Sequence, residues 1–171
     1  MKLHPKFLVS AALVLGLTGA VRGSDVAAAV SGTCGLITQQ EAATAVGGPV
    51  PAGAEKPNYS VPLKGEGVVI KMQMCLYGGV VVLARYELGS GAQALFGKYR
   101  QSFASEADSP DYQTVNGVGD EAFTAKGQLH IRKGQMGLLI GVSLGDRQNV
   151  RVAAKELQAE KTLATLALGR L

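Results

Sequence analysis

Residues 68–88 read VVIKMQMCLYGGVVVLARYEL, and this stretch decides the fold. Val68, Ile70, Met72, Met74 and Leu76 alternate with Lys71 and Gln73, the two-residue period of a strand with one apolar face. Gly78-Gly79 is a hairpin dipeptide, and Val80 to Leu88 is the returning strand. A strict two-residue turn would set Met72 opposite Arg85, so a bulge or longer loop is expected and the register stays open.

Downstream, three more strands are expected at Ala122 to Ala125, Leu129 to Lys133 and Met136 to Leu144, separated by Lys126-Gly127 and Lys133-Gly134 turns. The last alternates Met136, Leu138, Ile140, Val142 and Leu144 with Gly137, Leu139, Gly141 and Ser143, so its glycine-bearing face admits close contact. Helical spacing appears in three places. Thr38 and Glu41 form a capping box, Ile37 is placed to staple against Ala42, and Gly47-Gly48-Pro49 ends that helix before a polar loop from Pro49 to Lys56. Ser90 and Gln93 open a second helix with Ala92, Leu95, Phe96, Tyr99 and Phe103 on one side, stopped by Asp108-Ser109-Pro110. Asp146 caps a third, which buries Val150, Ala153, Ala154, Leu157, Ala164 and Leu168. The order αββαβββα, with short turns, predicts an α+β domain: an antiparallel sheet of about five strands with helices mainly on one face.

Upstream, Lys2 and Lys6 precede an apolar run from Phe7 to Leu17, followed by small residues at Thr18-Gly19-Ala20. That is the layout of a secretory signal with cleavage after residue 20, Val21-Arg22-Gly23 or the alanines at 27–29 being alternative sites. The run is short of the roughly 20 apolar residues that span a bilayer, so no stable transmembrane anchor is expected. Residues 21–33 form a small, alanine-rich flexible lead, and 34–171 a single domain. The mature protein is therefore expected outside the cytoplasm, periplasmic or secreted.

Export changes the charge argument. Of the net +4, Lys2 and Lys6 leave with the signal, so about +2 remains, with no block of like charges. Nucleic-acid binding, which needs a basic stripe, is excluded. With 47% hydrophobic and 18% charged residues, a disordered polyelectrolyte is excluded too. Cys34 and Cys75 are an even pair, which in an oxidising compartment reads as a disulfide tying the first helix to the sheet. Free thiols or a soft metal site are the alternatives.

The mature chain keeps one histidine, His130, which excludes a zinc site built on several histidines. Alternating with Leu129 and Ile131, His130 and Arg132 read as the solvated side of a strand; any Ser-His-Asp or Cys-His hydrolase would have to use His130. Met72 and Met74 are soft ligands suited to a Cu(I) carrier, although methionine is also ordinary core filler. Gly89-x-Gly91-x-x-Ala94, with Asp111 beyond it, has the context of a dinucleotide fingerprint but lacks a buried parallel strand, and no cofactor is expected. Asp120 and Glu121 are neighbours in an extended segment, hence on opposite faces and poorly placed to share a substrate. Asp108 and Asp111 read as loop solvation.

Cys34-Gly35-Leu36-Ile37-Thr38 with Glu41-Ala42, then Cys75-x-Tyr77, then Gly117-Val118-Gly119-Asp120-Glu121-Ala122-Phe123 resemble the plan of small secreted actinobacterial lipoprotein domains of unknown function. The plan is similar to the extracellular sensor domain of a mycobacterial receptor kinase. The resemblance implies an antiparallel α+β fold, a disulfide from the first helix to the sheet, a possible ligand cleft and no catalytic residues. Thr33 before Cys34 departs from a lipobox. The expected function is a non-catalytic binding or sensor-like domain for a small ligand or an envelope protein, with Val115, Asn116, Gly117, Gly119, Asp120 and Glu121 as the ligand loop.

Overall fold

The computed structural model describes residues 32–63, 67–104, 111–145 and 150–171. The signal, residues 21–31 of the lead, the Asp108-Ser109-Pro110 stop, the Asp146 cap and the side chain of Val150 lie outside the described residues. A 3-10 turn (Cys34–Leu36) leads into α1 (Gln39–Val46); then come β1 (Ala54–Leu63), β2 (Val68–Tyr77) and β3 (Val81–Glu87). After α2 (Ala92–Ala104) the chain forms β4 (Gln113–Thr114), β5 (Glu121–Ala125), β6 (Gln128–Lys133) and β7 (Met136–Val142), and closes with α3 (Val150–Leu168). The seven strands form one antiparallel sheet in the order β1-β2-β3-β7-β6-β5-β4. Two meanders thus meet at β3 and β7, and α2 carries the chain from one to the far edge of the other.

The α+β class and antiparallel sheet are as expected, but seven strands replace about five. Both extra strands are edges whose sequence lacks a strand period. β1 carries Pro57 and Pro62, has a register irregularity between Lys56 and Tyr59, and exposes nearly all its side chains, so no apolar alternation marks it. β4 is two residues long. The β2–β3 turn takes three residues, 78–80, which shifts the pairing to Met72 with Tyr86 and Gln73 with Arg85. The clash of the two-residue register is thereby removed.

Helices cover both faces. On one, α3 lies across β6 and β7, α1 packs against α3, and Leu36, Ile37, Ala42, Leu163 and Ala167 meet Leu83, Ile131 and Ile140. On the other, α2 lays Phe96 and Tyr99 over Ala84, Phe123 and Leu139. The first capping box forms as read: the Glu41 amide donates to Thr38 Oγ1 at 3.2 Å and the Thr38 amide to Glu41 Oε2 at 2.7 Å. Arg170 then clamps the C-terminus onto it, at 2.6 Å from Glu41 Oε1, and this bond holds the Glu41 carboxyl down to about 2. The second box does not form, because Ser90 sits inside a 3-10 turn (Gly89–Gly91) running straight into α2.

The buried stripe of α3 is also displaced from the expected one. Ala153 and Ala154 are exposed, whereas Glu156, Ala159, Glu160, Leu163, Ala164 and Ala167 are buried. Two carboxylates lie inward because they accept backbone bonds, Glu160 from the Val142 amide at 3.0 Å and Glu156 from the Leu144 amide at 2.7 Å. They satisfy donors past the end of the β6 ladder, whose last pair is Gln128 with Gly141. In β7 the small face of Gly137 is filled by the Tyr86 ring from the neighbouring strand, leaving no room for a Cβ.

Cys34 and Cys75 are joined, with Cα atoms 5.0 Å apart. The Tyr77 hydroxyl donates to the Ile37 carbonyl and lies 3.2 Å from that of Cys34, so two β2 side chains hold the lead-in to α1. Gly53 lies against them; a Cβ there would stand 2.8 Å from Cys75 Sγ. The bridge closes a loop across a separation of 41 residues, which in the chain-entropy treatment stabilises the fold by about 4 kcal/mol. Urea unfolding with and without reductant checks this: reduction, or the double change Cys34→Ser and Cys75→Ser, lowers the midpoint and with it the unfolding free energy by about that amount. An unmoved midpoint would show that the bridge is energetically idle.

Candidate functional site

His130 is where the structure departs most from the sequence reading. It is 1% exposed rather than solvated. Its ring stacks on Phe123, the residue directly opposite in β5, at 4.7 Å between centroids, and Tyr99 and Phe103 of α2 close over it at 5.4 and 5.1 Å. The reason is the second helix: both faces of the sheet are covered near β6, so the residues alternating with Leu129 and Ile131 face another core, not water. Neither ring nitrogen makes a hydrogen bond of normal geometry. Burial therefore pushes the imidazole down to about 4, against the opposing pull of the Ala125 backbone and the Asp111 carboxylate.

The expected ligand loop forms the turn leading into β5. Val115 and Val118 are buried, while Asn116 and Gly117 are exposed. Gly119, at φ 62, bends the chain before β5, so Asp120 and Glu121 are not on opposite faces: both reach Arg132. Arg132 Nη2 meets Glu121 Oε1 at 2.9 Å and Nη1 meets Asp120 Oδ2 at 3.1 Å. Asp120 also accepts from the Gly134 amide at 2.7 Å and pairs with Lys133 at 3.3 Å, contacts that lower its carboxyl below the usual range. Asp111 is likewise engaged rather than merely solvated. It accepts from the Gly127 amide and, at 3.1 Å, from that of Lys126, holding the β5–β6 turn in which Lys126 has φ 52.

Met72 is buried among Leu63, Ile70, Ala84 and Tyr86, with half-buried Met74 packed against that cluster. Cys75 lies on the other face in the disulfide. Among the described residues no group of three or more His, Cys, Asp or Glu could hold a metal ion, and no helix is long and apolar enough to cross a membrane.

A concavity opens elsewhere. On the α1–α3 side of the sheet, the ends of β2 and β3 away from the disulfide carry a depression of about 410 Å³. Val69, Lys71, Gln73, Arg85, Glu87 and Met136 line it, with Asn58 of β1 alongside. Alternation puts Lys71 and Gln73 on the same face as Cys75 and Tyr77, and Arg85 and Glu87 on the same face as Val81 and Leu83. That face is apolar under the helices and turns polar at one cross-strand row, Gln73 opposite Arg85. Arg85 Nη2 donates to Gln73 Oε1 at 2.7 Å, while the Lys71 and Glu87 side chains make no ion pair or hydrogen bond among the described residues. None of the expected loop residues lines this depression. Part of the signal was present in the sequence: along β2 the face of Cys75 and Tyr77 turns polar at Gln73 and Lys71.

No family model, curated protein or solved structure matches the chain.

His130 supplies a direct test of this packing. With a folded value of about 4 against an ordinary 6.5, the folded state keeps the ring neutral while the unfolded chain protonates it. Stability from this group is full above pH 6.5 and falls by about 3 kcal/mol as pH drops towards 4. His130→Phe, which preserves the ring stack, removes that part of the pH dependence in urea unfolding between pH 7 and 4.5. An unchanged slope in the variant would place His130 in contact with water.

Proposed function

We propose that the chain is an extracytoplasmic, non-catalytic binding domain whose ligand face is the half of the sheet that no described helix covers. One observation carries this reading: charged and amide side chains converge without mutual ion pairing in a depression of 410 Å³, within the roughly 300–1,000 Å³ typical of small-molecule sites. Elsewhere in the described fold, Glu41, Asp111, Asp120, Glu121 and Arg132 serve helix caps and turns. The floor of the depression is paired strand, which holds its groups in fixed relative positions.

Binding is favoured over transformation because His130, the general base a hydrolase would need, is buried and enclosed by aromatic rings. A Cu(I) carrier has less support, since Met72 packs into the core and Cys75 is oxidised. The disulfide suits an oxidising compartment, in keeping with the signal-like N-terminus.

A melting-shift screen of the oxidised protein against small metabolites tests the reading. A true ligand at a hundredfold excess over its Kd adds about 2.7 kcal/mol, a rise of several degrees. Lys71→Ala with Glu87→Ala leaves the unliganded stability within about 0.5 kcal/mol, since both side chains are exposed, and abolishes the shift. Shifts of equal size in the variant would move the ligand to another surface.

A further inference from the structure

We infer that the ligand of this depression is a small zwitterion of the amino-acid class, its carboxylate held by Arg85 and Lys71, its ammonium by Glu87, and its apolar side group by Met136 beside Glu87. The inference rests on the proposal that the open half of the sheet is the binding face.

The argument is one of charge and geometry. Two cations and one carboxylate line the site, so phosphate would satisfy Lys71 and Arg85 but leave Glu87 unmatched, whereas a ligand carrying both an anionic and a cationic group matches all three. A simple cation meets Lys71 and Arg85 instead. Arg85 is half-buried and fixed by Gln73 through one of its five N–H donors, which leaves the guanidinium oriented for a planar carboxylate. Glu87 follows Arg85 on the same strand face and is paired in register with Met136 of β7. The anionic corner therefore adjoins the apolar Met136, while Val69, 52% exposed, lies across β3 on β2 at the other side of the depression. Carboxylate, ammonium and aliphatic group each meet a complementary side chain, and the groups come from adjacent strands of one rigid sheet.

An NMR titration of the oxidised, full-length exported protein with L-leucine, N-acetyl-L-leucine, L-leucinamide and inorganic phosphate tests this. Leucine is expected to shift the resonances of Lys71, Gln73, Arg85 and Glu87. N-acetyl-leucine, lacking the ammonium, and leucinamide, lacking the carboxylate, bind about tenfold more weakly, the loss of one charge-assisted bond. Arg85→Gln weakens leucine by a similar factor. Glu87→Gln removes the preference for leucine over N-acetyl-leucine. Binding of N-acetyl-leucine or phosphate at these residues as tightly as leucine overturns the zwitterion while leaving the face as a binding surface. No shift at these residues from any of the four probes overturns both.

Discussion

The bond between Cys34 and Cys75 decides which half of the sheet is covered. Cys75 lies inside β2, and the bond seats the 3-10 turn (Cys34–Leu36) on that strand, with Tyr77 reinforcing it through the Ile37 carbonyl. From that anchor α1 packs onto α3, and Arg170 at the chain end closes the group by bonding the Leu36 carbonyl at 2.9 Å and the Glu41 carboxylate. Among the described residues, the turn before α1 is thereby seated at the Cys75 end of β2, with α1 against α3.

On the Cys75 face of the sheet, α3 packs on β6 and β7 and the Cys34–Leu36 turn packs on β2, while Lys71, Gln73 and Glu87 stay exposed. The uncovered rows must be polar enough to face water, and they are, with Lys71, Gln73, Arg85 and Glu87 taking the positions that Cys75, Tyr77, Val81 and Leu83 occupy under the helices. The opposite face solves the same problem with α2 and an aromatic layer, in which Phe123, Tyr99 and Phe103 enclose His130 so tightly that neither nitrogen makes a hydrogen bond of normal geometry. A buried imidazole without such a bond costs free energy, which this core tolerates because the ring stacks as an aromatic would.

Much of this was legible in the residues. The central hairpin, three strands of the second meander, the Thr38 cap and the cysteine pair follow from period and spacing, because each is a local pattern reinforced by packing. Misreadings arose where a long-range partner overrode the local signal. β1 is a strand because β2 offers it an edge, not because its exposed, proline-bearing sequence asks for one. Glu156 and Glu160 lie inward because β7 presents two backbone amides, which no helical periodicity within α3 could announce. Asp120 and Glu121 share Arg132 because Gly119 turns the chain just before them. The depression was half legible: alternation along β2 already puts Lys71 and Gln73 on the face of Cys75, but the register with Arg85 needed the three-residue turn.

Solvent paramagnetic relaxation on the oxidised protein, using a neutral soluble gadolinium chelate, tests the central claim most directly. The account predicts strong relaxation of the side chains of Lys71, Gln73 and Glu87 together with protection of Tyr77, Leu83, Ile140 and Leu163 on the same side of the sheet. Equal protection across both groups would contradict it, since the face assigned to a ligand would then already be occupied by the protein itself.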